Sequence, residues 1–214
     1  MAWRLLDRPQ EEVIVMSTTT LHFTERSLSA LDAIFTRRSV RAYTKQKLDK
    51  PTVRALLDAA VQAPTAMHKE PWEFVVLQDA ATLKRYSDRA KAIWTAQTAD
   101  RLPSGDRFEA LLADPNFSIF YDASTLIVIC GKGDGPFVAA DCWLAAENLM
   151  LAACAMGLGT CCIGLAVPAM NTAESKAELG LAHDVHAVAA IIVGVPSGAA
   201  APVPRKDPLI VYWG

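Results

Sequence analysis

The sequence predicts an α+β domain, a mixed β-sheet flanked by helices, and three observations carry that prediction. Helix-period and strand-period segments interleave along the chain. Two strand-like runs, "STLIVIC" and "HAVAAIIVGVP", are apolar almost throughout, as suits strands covered on both faces. The 214 residues are 52% hydrophobic and 21% charged, which supplies enough apolar material for one large core.

The elements follow in order. Residues 1–26 have no clean period and are expected to form a loosely attached leader, with Met16-Ser17 as an alternative start. Residues 27–214 read as one domain. Ser27 or Ser29 can cap a helix over "LSALDAIFTRR", whose Leu28, Leu31, Ile34 and Phe35 share one face. Pro51 suits the first turn of a second helix carrying Val53, Leu56, Leu57 and Ala60, which stops at the proline-rich "APTAMHKEP". "WEFVVLQD" reads as a strand and "ATLKRYSDRAKAIWTAQTAD" as a charged amphipathic helix. Residues 101–120, punctuated by Pro103, Gly105 and Pro115, predict an irregular or short-helical excursion before the strand "STLIVIC".

A long apolar helix is expected over Phe137–Gly159. Its length suits a membrane span, but Asp141 and Glu147 lie inside it. Each charge costs about 2.5–3.5 kcal/mol near the centre of a span, so the segment reads as a buried helix. Then come the small, glycine-flanked turn "GTCCIG", a short helix near Pro168–Leu179, and the strand "HAVAAIIVGVP". Residues 201–214, "APVPRKDPLIVYWG", form a proline-punctuated arm whose β-prone end would be an adhesive edge if left free. Pairing with another subunit resolves that problem. Trp72 and Trp143 are expected in core packing, and Leu149–Met150–Leu151 in an interface.

Composition excludes several functions. Twenty-one Lys and Arg against 23 Asp and Glu give no global basic field for nucleic acid. Five cysteines without CxxC argue against a disulfide framework or a zinc site, and read as buried thiols. The four histidines form no HExxH or comparable metal set. No GxGxxG after a strand, no GxxxxGK[ST] and no GxSxG elbow occurs. The N-terminus lacks the pattern of a signal peptide, and a cytoplasmic location is expected.

Against this neutral background "TRRSVRAY" packs three arginines and a serine into residues 37–41. A solvated surface is one reading; guanidinium forks and a hydroxyl gripping an anion is the other. Arg205 and Lys206 offer two further cations, and "GTCCIG" would let backbone N–H groups approach a flat ligand. A phosphomonoester carries about −1.5 to −2 charge at neutral pH. Together these features describe a phosphorylated, planar cofactor.

The ordered set "RRSVR", "APTAMHKEPWEFVVL", "FYDASTLIVI", "AAENLMLAACAMGLGTCCIG" and "IIVGVPSGAAAPVPRKDPL" resembles the FMN-dependent nitroreductase family from about Ser27 onward. The resemblance implies an intertwined homodimer with exchanged C-terminal arms and FMN held by both chains. It implies that Arg37, Arg38 and Ser39 contact the phosphate and ribityl chain, with Arg41 against the N1–C2=O edge of the flavin. Arg205, with Lys206, would reach the phosphate from the arm. Pro64, Thr65, Ala66 and His68 match the loop lining the ring, although the family usually has Ser and Asn there, and Gln where Glu70 stands. Cys162, Ile163 and Gly164 match the turn whose N–H groups approach flavin N5 and O4. The implied activity is ping-pong reduction of nitroaromatic, quinone or similar electron-poor small molecules by NADH or NADPH, with the flavin doing the redox chemistry. No side-chain catalyst is required, and His68 is either a proton donor or a plain ring contact. The alternatives are a flavin-dependent dehydrogenase or dehalogenase of one metabolite, and an FMN-binding protein without turnover.

Overall fold

The computed structural model describes residues 28–98 and 107–214, so the expected leader lies outside the described residues. The two most apolar runs form the centre of the sheet. Strand β1 (Trp72–Leu77) pairs with β2 (Thr125–Lys132), β2 pairs with β4 (Val185–Gly194), and β3 (Gly159–Cys162) closes the other edge, in the order β1-β2-β4-β3. All three ladders are antiparallel, and a parallel component enters through the single bridge from Ser39 to Thr160.

Side-chain alternation along β2 divides the core between the two faces. Leu126, Val128 and Cys130 join Tyr86, Phe120 and Ile192 on one side. Ile127 and Ile129 join Leu56, Leu149 and Ile191 on the other. Each such fully buried aliphatic side chain contributes about 1.5–3 kcal/mol relative to exposure. The first face is covered by α3 (Ala80–Thr98) and α6 (Val167–Met170), the second by α2 (Lys50–Ala60) and α5 (Val138–Ala155).

The helices start where the sequence supplies caps. Ser29 Oγ accepts from Asp32 N at 3.1 Å to open α1 (Ala30–Thr36), and Asp49 accepts from Thr52 N at 2.9 Å to open α2, with Pro51 in its first turn. Asp79 caps α3 in the same way through Thr82 N. Within the excursion, α4 (Arg107–Ala113) is helical and the chain then turns through Asp122. The helix expected near Pro168–Leu179 is divided, because Thr172 takes Ser175 N as a new cap and starts α7 (Ala173–Leu179). The first four residues of the "GTCCIG" turn are strand β3, paired with β4.

Two expectations about packing change, and the apolar face of α1 is now placed. The apolar face of α1 points outward: Leu31 is 66% and Phe35 74% exposed, and only Ala33 is buried. Trp143 is exposed, while Trp72 is half-buried against the second cluster. Leu149 and Met150 are core residues of this chain, because they lie on the face of α5 that meets the sheet. That face, with Cys142, Ala145, Ala146 and Ala153, makes α5 a core helix, although its length and hydropathy also suit a membrane span.

Candidate functional site

The arginine knot begins where α1 ends. Arg37 caps the helix in an extended conformation, and the chain then runs beside β3, with Val40 N donating to Thr160 O at 2.9 Å. That approach needs Gly159, because a Cβ there would meet the Val40 side chain at 2.8 Å. The knot is thereby fixed against the strand that leads into Cys162–Gly164.

Within the knot, Arg37 Nε lies 3.4 Å from Glu147 Oε1 on α5. The pair lacks hydrogen-bond alignment, and Arg37 Nε is buried without a hydrogen-bond partner. Arg38 spends one terminal nitrogen on Phe35 O and Arg37 O, both at 2.8 Å, yet its Nε is also buried and unpartnered. An unsatisfied buried donor costs about 1–3 kcal/mol. Two of them on adjacent guanidinium groups are what an anionic ligand would relieve. Ser39 and Arg41 are exposed beside them.

Beyond β3 the chain turns tightly. Ile163 N donates to Ala190 O at 2.8 Å, so its donor is spent inside the fold. Of the three residues of the turn, Ile163 therefore has no N–H left to offer a ligand. Gly164 is exposed, with no atom within 4 Å of the position a Cβ would take, and can still present its backbone. Arg41, Cys162 and Gly164 line a cleft of about 150 Å³ together with Phe108, Phe117 and Tyr121. The Arg41 guanidinium stands 5.9 Å from the centroid of the Tyr121 ring. Burial pushes the Cys162 thiol above its ordinary value, Cys161 adds to the rise, and the Arg37 cation opposes both. Cys162 is therefore a neutral wall, not a thiolate nucleophile.

The aromatic wall hangs on α3. The buried Lys91 ammonium donates to Asp114 O at 3.0 Å and Phe117 O at 2.9 Å. Ser87 Oγ accepts from Ile119 N at 3.0 Å, and Trp94 meets Phe108 edge to face.

Pro64–His68 form a separate unit. Met67, His68 and Glu70 have φ of 56°, 52° and 44°, the left-handed region that costs a non-glycine residue about 1–2 kcal/mol. Thr65 Oγ1 accepts from Glu70 N at 3.3 Å, and Asp141 Oδ1 on α5 accepts from Ala66 N at 3.1 Å. Pro64, Met67 and His68 project into solvent.

One chain thus brings together Arg37, Arg38, Ser39, Arg41, Cys162, Ile163 and Gly164. It does not bring Pro64, Thr65, Ala66 and His68 to them. The two sets are tied to α5 through Glu147 and Asp141, six residues or about 9 Å apart along the helix axis. Arg205 and Lys206 are exposed on the arm, which makes no hydrogen bond or ion pair with the other described residues. Sequence reasoning missed Asp141, Glu147 and the Phe108–Phe117–Tyr121 wall. The first two carried a signal, since a carboxylate in an otherwise apolar helix needs a partner. Among the described residues no cluster of His, Cys, Asp and Glu could hold a metal ion.

Comparison with known proteins joins this geometry to a family. A candidate NADH dehydrogenase/NAD(P)H nitroreductase of Archaeoglobus fulgidus is 27% identical over 167 residues, covering 78% of this chain and 84% of that protein. A solved candidate NADH dehydrogenase/NAD(P)H nitroreductase of Bacteroides thetaiotaomicron has a TM-score of 0.60 at 28% identity, over 83% of this chain and 92% of that one. A nitroreductase of Desulfitobacterium hafniense, solved with bound FMN, shares the fold with a TM-score of 0.72 at 21% identity, over 86% of this chain and 98% of that one. The model of the nitroreductase family matches residues 34–195, the stretch that holds the knot, the turn and the whole sheet, and the chain belongs to that family.

Proposed function

We propose that this protein is an FMN-dependent oxidoreductase that takes electrons from NADH or NADPH and reduces small electron-poor acceptors such as nitroaromatics or quinones. The observation that carries the reading is the pair of orphaned, buried guanidinium nitrogens on Arg37 and Arg38, next to the open turn at Gly164. They fit a phosphate ester, whose oxygens would satisfy both donors, with the Ser39 hydroxyl alongside. Bound there, FMN would supply the hydride acceptor and donor that no side chain of this protein provides.

The chain's own residues then do four things. Arg37, Arg38 and Ser39 hold the phosphate end. Gly164 N–H stands free to donate to a flat ligand. Arg41, beside the same cleft, offers positive charge where negative charge would accumulate, and needs no reorganisation to do so. Phe108, Phe117 and Tyr121 give the cleft an apolar, aromatic wall suited to a planar acceptor.

The functional unit in this reading is a homodimer. Leu31, Ile34 and Phe35 on α1, Trp143 and Leu144 on α5, and Leu209–Trp213 on the arm are large apolar side chains turned outward. A second copy would cover them, bring the Pro64–His68 loop and the cations Arg205 and Lys206 to the knot, and complete the site. Five free thiols suit a reducing compartment and support a cytoplasmic setting.

The test is direct. Purified protein should be yellow, should release FMN and not FAD on denaturation, and should bleach under anaerobic conditions on addition of NADH or NADPH. Colourless protein that does not take up added FMN would refute the reading. Bound FMN that neither nucleotide bleaches would retain the cofactor and remove the reductase.

A further inference from the structure

We propose that Asp141 is a positioning residue for the cofactor site, its buried carboxylate holding the turn that presents Thr65 and His68. The inference rests on the function proposed above. Asp141 is only 5% exposed, although it lies in the apolar helix α5. A carboxylate in that setting is tolerated only when something satisfies it. Its Oδ1 accepts from Ala66 N at 3.1 Å, across 75 positions of sequence.

The turn has little else to hold it. Pro64, Met67, His68, Lys69 and Glu70 are exposed and Ala66 is half-buried, so no large apolar side chain of the turn anchors it in the core. Its own hydrogen bonds are long: 3.4 Å from His68 N to Thr65 O, 3.2 Å from Lys69 N to Ala66 O, and 3.3 Å from Glu70 N to Thr65 Oγ1. Yet Met67, His68 and Glu70 all stay left-handed, a course an unrestrained chain would leave. The Asp141 carboxylate is the contact that ties the turn to a rigid element. The same helix meets Arg37 through Glu147, so each copy's α5 touches both the knot and the turn that the copy contributes.

The geometry requires an acceptor oxygen, not a charge, and this makes the inference testable with Asp141→Asn and Asp141→Ala in the full chain. Hydrogen exchange over residues 65–70 should accelerate at least about tenfold in Asp141→Ala, with α5 unchanged, as local opening predicts. The Kd for FMN, read by quenching of flavin fluorescence, should rise about five- to fiftyfold, and the bound flavin spectrum should move toward that of free flavin. Asp141→Asn should restore both to within about threefold. Ala66→Pro removes the donor from the other side and should reproduce the loss if Asp141→Ala fails to fold. The preceding Thr65 is already extended, at φ −130° and ψ 150°, and accepts a following proline. Wild-type exchange and affinity in Asp141→Ala or Ala66→Pro would overturn the inference, as would Asp141→Asn behaving like Asp141→Ala. Wild-type protein that binds no FMN refutes the proposed function and this inference with it. Wild-type protein that binds FMN no better than Asp141→Ala refutes the inference alone.

Discussion

Replacing Arg37 by alanine should weaken FMN binding roughly ten- to a hundredfold while leaving the chain folded. The two halves of that expectation come from different contacts. On the binding side, the lost group is a partly exposed guanidinium whose buried Nε has no hydrogen-bond partner in the fold. A charge-assisted hydrogen bond contributes about 1.5–3 kcal/mol, and each 1.4 kcal/mol is a factor of ten in Kd. On the folding side, the lost partner is Glu147, at 3.4 Å and with its side chain 48% exposed. Exposed ion pairs of that kind contribute about 0–1 kcal/mol, so the melting temperature should hardly move. Titrating apo-protein into FMN and following fluorescence quenching at two salt concentrations gives Kd and its ionic-strength dependence. Arg37→Lys should fall between wild type and Arg37→Ala, because it keeps the charge and loses the fork. A Kd for Arg37→Ala within twofold of wild type, in a chain that melts normally, would refute the phosphate assignment.

Deleting residues 207–214 removes Leu209, Val211, Tyr212 and Trp213, each more than 80% exposed. Full-length protein should sediment as a dimer and the truncated chain should dissociate more readily; a monomeric full-length protein would overturn this. Lys91→Met leaves Phe117 O without its donor and Asp114 O with only the 3.2 Å bond from Phe117 N, and should cost about 1–3 kcal/mol, read by calorimetry, with a raised KM for the acceptor and an unchanged rate of flavin reduction. Burial pushes the Cys130 and Cys142 thiols from an ordinary 9.0 up to about 12 and about 11, and the Tyr86 hydroxyl, hydrogen-bonded to Glu178, up to about 12. The folded chain therefore favours the protonated forms, so stability should hold below pH 9 and fall as pH rises from 9 toward 12. Urea unfolding at intervals across that range, with Cys130→Ala giving a shallower fall, checks the sign.

Much of the fold was legible because it depends on local chemistry. Ser29 and Pro51 mark helix starts through a side chain and a ring that act within three residues. The apolar run of β2 reads as buried on both faces because both core clusters do cover it. The misreadings share one cause. Periodicity shows which face of a helix is apolar, not what covers it. Hence Leu31, Ile34 and Phe35 read as one apolar face and are turned away from the core, while Leu149 and Met150 read as interface and are buried within the chain. The spent donor at Ile163 was hidden for a similar reason, since its acceptor Ala190 lies on a strand the sequence cannot pair in advance.

The two charges in α5 make the same point from the other direction. In the sequence Asp141 and Glu147 mattered only as obstacles to membrane insertion, because their cost in an apolar helix follows from composition alone. What repays that cost is tertiary: Ala66 N lies 75 residues back from Asp141, and Arg37 lies beyond it toward the N-terminus. Six helical steps from Asp141 to Glu147 turn through about 600°, so the two carboxylates project about 120° apart around α5. They therefore serve different sides of the helix, one toward the left-handed turn and one toward the knot. In the proposed assembly a second copy would bring its turn to the knot of the first. Each copy would offer its knot from one side of its own α5 and its turn from the other.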